Sequence, residues 1–172
     1  MKIAIIGYSG SGKSTLAKRL ADQIGVLPLY LDSVHFLPGW NEREPGEARS
    51  IVQQELAKPS WVIDGNYGYL LREQRLREAD EIIWLNYSRL HCLYRALNRS
   101  RVYKGKVRES AASGCFERMD AEFIWWILFG GRTQEKRREY RDVFLQYPEK
   151  AIEIKNDKAL EKFLLERENT QN

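Results

Sequence analysis

The apolar residues of this chain alternate between two spacings. Ile3 to Ile6 form a continuous run of four ending at Gly7, the pattern of a short strand covered on both faces. From Lys13 the spacing changes: Leu16, Leu20 and Ile24 recur at helical intervals, and Gly25 stands where a left-handed C-cap is expected. Strand, glycine-rich turn and helix open a βαβ unit. Residues 27–31, 61–63, 81–86 and 151–155 read as further buried strands. Helical patterns lie near 47–57, 69–78, 90–101, 120–147 and 157–167, the fourth interrupted by Gly130-Gly131. This alternation predicts an α/β fold, a five-stranded parallel sheet flanked by helices on both faces. Ligands in such sheets bind beyond the carboxyl ends of the strands. Gly7, Asp32, Asp64 and Asn86 stand at those ends and are expected to share a cleft.

Composition narrows the class. With 172 residues, 43% hydrophobic and 30% charged, the chain is expected to form one globular domain over 1–172, and disordered or collagen-like architectures are excluded. The longest apolar run, Phe123 to Phe129, has seven residues where a membrane span needs about twenty. Two cysteines, Cys92 and Cys115, with no signal sequence, point to a reducing compartment and a cytoplasmic location. The net charge is +4, and it is unevenly spread. Between Arg95 and Arg118 seven bases stand against two acids, a local excess of +5. Residues 102–118 within that stretch have little apolar periodicity and are expected to form a lid-like insertion. A basic stretch of this kind is an anion site, a nucleic-acid patch or a solvated face.

The sharpest motif decides among these. Gly7-Tyr8-Ser9-Gly10-Ser11-Gly12-Lys13-Ser14 fits G-x-x-x-x-G-K-[ST] throughout, and it follows a predicted strand and opens a predicted helix. Its glycines let successive backbone N–H groups converge on phosphate at a helix N-terminus. Gly7, Ser9, Gly10, Ser11, Gly12, Lys13, Ser14 and Thr15 are therefore the expected ATP-binding residues. Lys13 would neutralise the transferring phosphates and the Ser14 hydroxyl would ligate Mg²⁺.

Within this motif, Gly10 and the ending Lys13-Ser14-Thr15 resemble the small-molecule and nucleoside monophosphate kinases of the adenylate kinase type. Asp64-Gly65-Asn66-Tyr67 is similar to the Asp-Gly-Phe-Pro step of those kinases, which implies that Asp64 helps hold the metal's water shell. Arg95 and Arg99 resemble the basic pair that opens their lid, which implies that Arg99 stacks on adenine. Arg118 and Arg132 would stand for the lid's far arginines, which clamp the transferring phosphoryl group. Over nearly the whole chain, Leu31-Asp32-x-x-x-Phe36-Leu37-Pro38-Gly39-Trp40, Val62-Ile63-Asp64-Gly65-Asn66-Tyr67 and Arg99-x-Arg101-x-Tyr103-x-Gly105-x-x-Arg108 resemble the bacterial topology modulation proteins related to FlaR. That name implies an effect on DNA topology.

Asp32, at the end of the second strand, is the candidate to bind or activate a phosphoryl acceptor, with a helix cap or turn as its bland alternative. Trp40 and Tyr67 follow strand ends and are the candidate pocket aromatics. Phe123, Trp125, Trp126 and Phe129 read as packing or lid contact, and His35, His91 and Cys92 as structural. Cys115 lacks the partners of a tetrahedral zinc site. Three functions follow: an ATP-dependent phosphotransferase acting on a small nucleotide-like or hydroxylated acceptor, a nucleotide-dependent DNA-binding regulator, or a P-loop protein that binds the nucleotide without turnover.

Overall fold

The computed structural model describes residues 1–103, 110, 112, 114, 115 and 119–171, with the side chains of 170 and 171 left aside. It begins with β1 (Lys2–Gly7), α1 (Lys13–Ile24), β2 (Pro28–Tyr30) and the short α2 (Leu31–His35). A small hairpin, β3 (Phe36–Leu37) and β4 (Asn41–Glu42), leads to α3 (Pro45–Leu56) and β5 (Trp61–Asp64). Then come α4 (Arg72–Glu78), β6 (Glu81–Leu85), α5 (Arg89–Val102), α6 (Ala121–Leu128), α7 (Gln134–Gln146), β7 (Ala151–Ile154) and α8 (Asp157–Gln171). Most of the expected insertion at 102–118 lies outside the described residues.

The main sheet runs β2-β5-β1-β6-β7, every pairing parallel. This is the expected α/β architecture. β1 is central, and Ile3 to Ile6 are completely buried between the helical layers, which is why the run carries no polar alternation. Successive strands are laid on one side of β1 and then on the other. The chain thus leaves an open crevice beyond the end of β1, where the glycine-rich turn sits.

One element departs from expectation. The second strand stops at Tyr30, and Leu31 begins a helix that carries Asp32 in its first turn. Leu31 and Val34 are both buried; three residues apart, they share one helical face but would lie on opposite faces of a strand. The pattern at 120–147 is interrupted at the expected Gly130-Gly131, where a 3₁₀ turn over Gly130–Arg132 separates α6 from α7. The indole of Trp125 folds back over Gly130, where a Cβ would collide with the ring. No helix among the described residues is long and apolar enough to cross a membrane.

Candidate active site

The turn between β1 and α1 is held in shape from three directions. Gly12 caps α1 in the left-handed region, and the Ser11 amide closes the turn on the Tyr8 carbonyl at 3.1 Å. Gly10 has φ +78°, and a Cβ there would strike the carbonyl oxygen of Cys92 on α5. That position requires glycine for conformation and for close approach alike. Asn66 fixes the start of the turn: its Oδ1 accepts from the Gly7 amide at 3.1 Å and its Nδ2 donates to the Gly7 carbonyl at 2.6 Å. Lys13 curls back over the turn, donating to the Tyr8 carbonyl at 3.2 Å. Ser9, Gly10, Gly12, Lys13, Ser14 and Thr15 line a cleft of about 1470 Å³. Gly7 and Ser11 are buried beneath it.

Asp64, at the end of β5, is 5% exposed and accepts a hydrogen bond from Ser14 Oγ at 2.7 Å. A hydroxyl beside a carboxylate is the hard-oxygen donor set that suits Mg²⁺. Among the described residues no cluster of three His, Cys, Asp or Glu side chains exists that could hold a metal ion by itself. The pair therefore fits an ion that arrives with phosphate and water rather than one caged by protein.

Behind Asp64, Arg75 of α4 is completely buried. It donates to the carbonyls of Leu70 at 2.8 Å, Gly65 at 3.2 Å and Tyr67 at 2.9 Å. Burial, helped by Arg72 and opposed by Asp64, pushes its guanidinium down to about 9, so it stays cationic at neutral pH. The three carbonyls pin the strand-end loop that presents Asp64, Asn66 and Tyr67. Sequence reasoning missed this residue, since it stands among Arg72 and Arg77 in an ordinary amphipathic stretch.

The arginines divide sharply. Arg95 on α5 reaches the turn, donating to the Ser11 carbonyl at 2.8 Å and pairing with Asp157 at the start of α8. Arg99, one helical turn on, lines the cleft. Arg132 is buried: its guanidinium lies 3.7 Å from the centre of the Tyr8 ring and donates to the Tyr87 carbonyl at 2.9 Å and to Cys92 Sγ at 3.2 Å. Burial lowers its pKa, with the Cys92 thiol and Tyr8 opposing. Arg132 thus sits under the glycine-rich turn and not on the cleft surface. Arg118 and Arg108 lie outside the described residues.

Asp32 lines the same cleft as Lys13, is exposed, and accepts from Tyr67 Oη at 3.0 Å. Burial and the neighbouring Asp32 carboxylate raise the Tyr67 pKa, so Tyr67 keeps its proton and orients Asp32. His35 packs its ring 4.6 Å from that of Tyr67 and meets Tyr69 Oη at 2.7 Å through Nδ1. Trp40 stands edge-on to Phe36 at 5.1 Å, and both line the cleft. Phe123, Trp125 and Trp126 line the cleft as well. The two tryptophans are 58% and 40% exposed and still pack locally, Trp125 over Gly130 and Trp126 under Lys136 Nζ at 4.5 Å; most of the segment expected as a lid lies outside the described residues. Cys115 donates to the Leu37 carbonyl at 3.3 Å. Asn86 is not among the cleft residues; its amide is turned to Glu153 Oε1 at 2.6 Å, because β7 closes over the end of β6.

No family model and no curated protein matches the chain, so the topology-modulation resemblance stands on its sequence motifs alone. Among solved structures, the chain is similar to a deoxyadenosine kinase from M. mycoides with bound dATP, at 14% identity over 98% of this chain and 99% of that one, TM-score 0.53. A gluconokinase from Sinorhizobium meliloti 1021 aligns at 16% identity over 90% of this chain and 81% of that one, TM-score 0.49. At such identities the likeness to the deoxyadenosine kinase is one of fold: the chain has the α/β fold of the P-loop nucleotide kinases.

Proposed function

We propose that the protein is a phosphotransferase that binds Mg·ATP and moves its γ-phosphoryl group to a small nucleotide-like or hydroxylated acceptor. One observation carries this reading. A complete G-x-x-x-x-G-K-S turn opens α1 in the same cleft as the Ser14–Asp64 pair, and that cleft is also lined by an exposed carboxylate, Asp32. The fold shared with the dATP-bound deoxyadenosine kinase supports a nucleotide on that turn.

In this reading the chemistry is positioning and charge neutralisation. Backbone amides of the glycine-rich turn other than that of Ser11 cradle the phosphates, Lys13 releases the Tyr8 carbonyl to meet the β and γ oxygens, and Arg99 covers the adenine. Ser14 and Asp64 hold Mg²⁺, which when bound offsets charge on the phosphates. Asp32 receives the acceptor. Arg118 is assigned to the closing lid, and Arg132 holds the turn from below through Tyr8. The whole chain acts as one kinase-like domain.

A phosphoryl-transfer screen with Mg·ATP against nucleosides, nucleotides and small hydroxylated metabolites tests this, with Lys13→Ala as control. The expected result is acceptor-stimulated ADP release that falls by about 10²-fold or more in the variant, the scale set by losing one preorganised charge at the transferring group. ADP release that no acceptor stimulates, or that Lys13→Ala leaves unchanged, overturns the reading.

A further inference from the structure

The part of the cleft lined by residues 28–80 has a chemical character of its own. Every base carried by residues 28–80, namely Arg43, Arg49, Lys58, Arg72, Arg75 and Arg77, is absent from the cleft lining. Several are visibly engaged elsewhere. Arg43 donates to the Val34 carbonyl at 2.8 Å and pairs with Glu47; Arg49 donates to the Tyr69 carbonyl at 3.0 Å; Arg75 is buried under its loop. What this segment does present to the cleft beyond Asp64 and Asn66 is one carboxylate, Asp32, bonded to Tyr67 Oη, with the rings of Tyr30, Phe36, Trp40 and Tyr67 in the same lining. The bases of the lining come from other segments: Lys13, Lys18 and Arg19 from α1, Arg95 and Arg99 from α5, and Lys136, whose Nζ lies 4.5 Å over the Trp126 ring, from α7. A phosphate monoester placed beside Asp32 would meet a carboxylate and aromatic faces, where it needs donors and guanidinium groups. A hydroxyl would find an acceptor in Asp32, and a flat or alkyl-ammonium face would find the rings.

We propose that the acceptor is a hydroxyl compound bearing no phosphate of its own, held with its hydroxyl on Asp32 and its flat or cationic face against Tyr67, Phe36 and Trp40. This rests on the phosphotransferase reading and narrows it, excluding nucleoside monophosphates. In the transfer, the acceptor oxygen bonds to the γ-phosphorus as the bond to the β–γ bridging oxygen breaks. That oxygen leaves on ADP with the electron pair, and the hydroxyl proton passes to the Asp32 carboxylate and on to solvent. Tyr67 acts as a positioning residue through its hydrogen bond to Asp32.

Binding separates this inference from the question of turnover. Isothermal titration of the full chain, saturated with a non-hydrolysable ATP analogue and Mg²⁺, uses two arms: nucleosides against their 5′-monophosphates, and choline and ethanolamine against their phosphate esters. In at least one arm the unphosphorylated compound is expected to bind about tenfold or more tightly than its ester, the effect of facing a phosphate with a carboxylate. The arm that binds identifies the source of the hydroxyl. Asp32→Asn is expected to shrink that ratio by weakening the hydroxyl compound and relieving the ester. Tyr67→Phe, which keeps the ring, is expected to weaken the hydroxyl compound several-fold. Esters binding as tightly as their parents, a ratio unmoved in Asp32→Asn, or no binding in either arm overturns the proposal. Lys13-dependent transfer to a monophosphate would overturn it while leaving the phosphotransferase reading standing.

Discussion

Arg75 shows how much of the site depends on a residue that does not itself line the cleft. Its guanidinium satisfies three loop carbonyls inside the protein. Removing it leaves those carbonyls dry, and the loop that aims Asp64 and Asn66 loses its underside. Arg75→Met is therefore expected to destabilise the fold by ~2–5 kcal/mol, read as a lower urea midpoint. Arg75→Lys is expected to recover little, because a single ammonium cannot reach three divergent carbonyls as a planar fork does. At this scale the sequence is readable where a residue type is demanded by local geometry, and silent where its partners are distant. Gly10 and Lys13 were evident from spacing. The bracket that Asn66 places on Gly7 was not, since the two are 59 positions apart and an asparagine after a strand is ordinary turn chemistry. Arg132 illustrates the same limit: the resemblance marks it as an arginine of the lid, whereas burial among Tyr8, Tyr87 and Cys92 is a property of how α6 and α7 fold back.

Among elements, α5 is the one that joins the site's parts. Cys92 shapes the turn by close approach, Arg95 grips the Ser11 carbonyl, and the same guanidinium holds Asp157 at the start of α8. Arg95→Ala is expected to weaken binding of a non-hydrolysable ATP analogue by about ten- to a hundredfold, the scale of a charge-assisted hydrogen bond left unmade. Asp157→Asn is expected to cost less, because the contact to Ser11 survives. A double-mutant cycle by titration calorimetry checks the coupling: additive losses would show that Asp157 does not orient Arg95. The buried strands were legible because a strand covered on both faces has to be apolar throughout. α2 was not, because five residues carry too few turns to display a period, and its helical state comes from Leu31 and Val34 both reaching the core.

For the whole molecule, a ligand that binds only the folded state stabilises it by mass action. At about a hundredfold excess over its dissociation constant, Mg·ATP analogue is expected to add ~2.7 kcal/mol, a rise in Tm of about 5–10 °C for a chain of this size. Differential scanning fluorimetry reads this, and Lys13→Ala is expected to lose most of it; an unchanged shift would remove Lys13 from the phosphate site. The order β2-β5-β1-β6-β7 also makes the glycine-rich turn depend on chain far from it in sequence. β7 forms one edge of the sheet, and Asp157 just beyond it anchors the arginine that braces the turn. A chain cut before residue 151 keeps Gly7 to Ser14 but lacks that sheet edge and the brace, so it is expected to hold a nucleotide analogue more weakly than the chain that carries both. A lesion on the carboxyl side of the sheet is thus felt at the turn that follows its first strand.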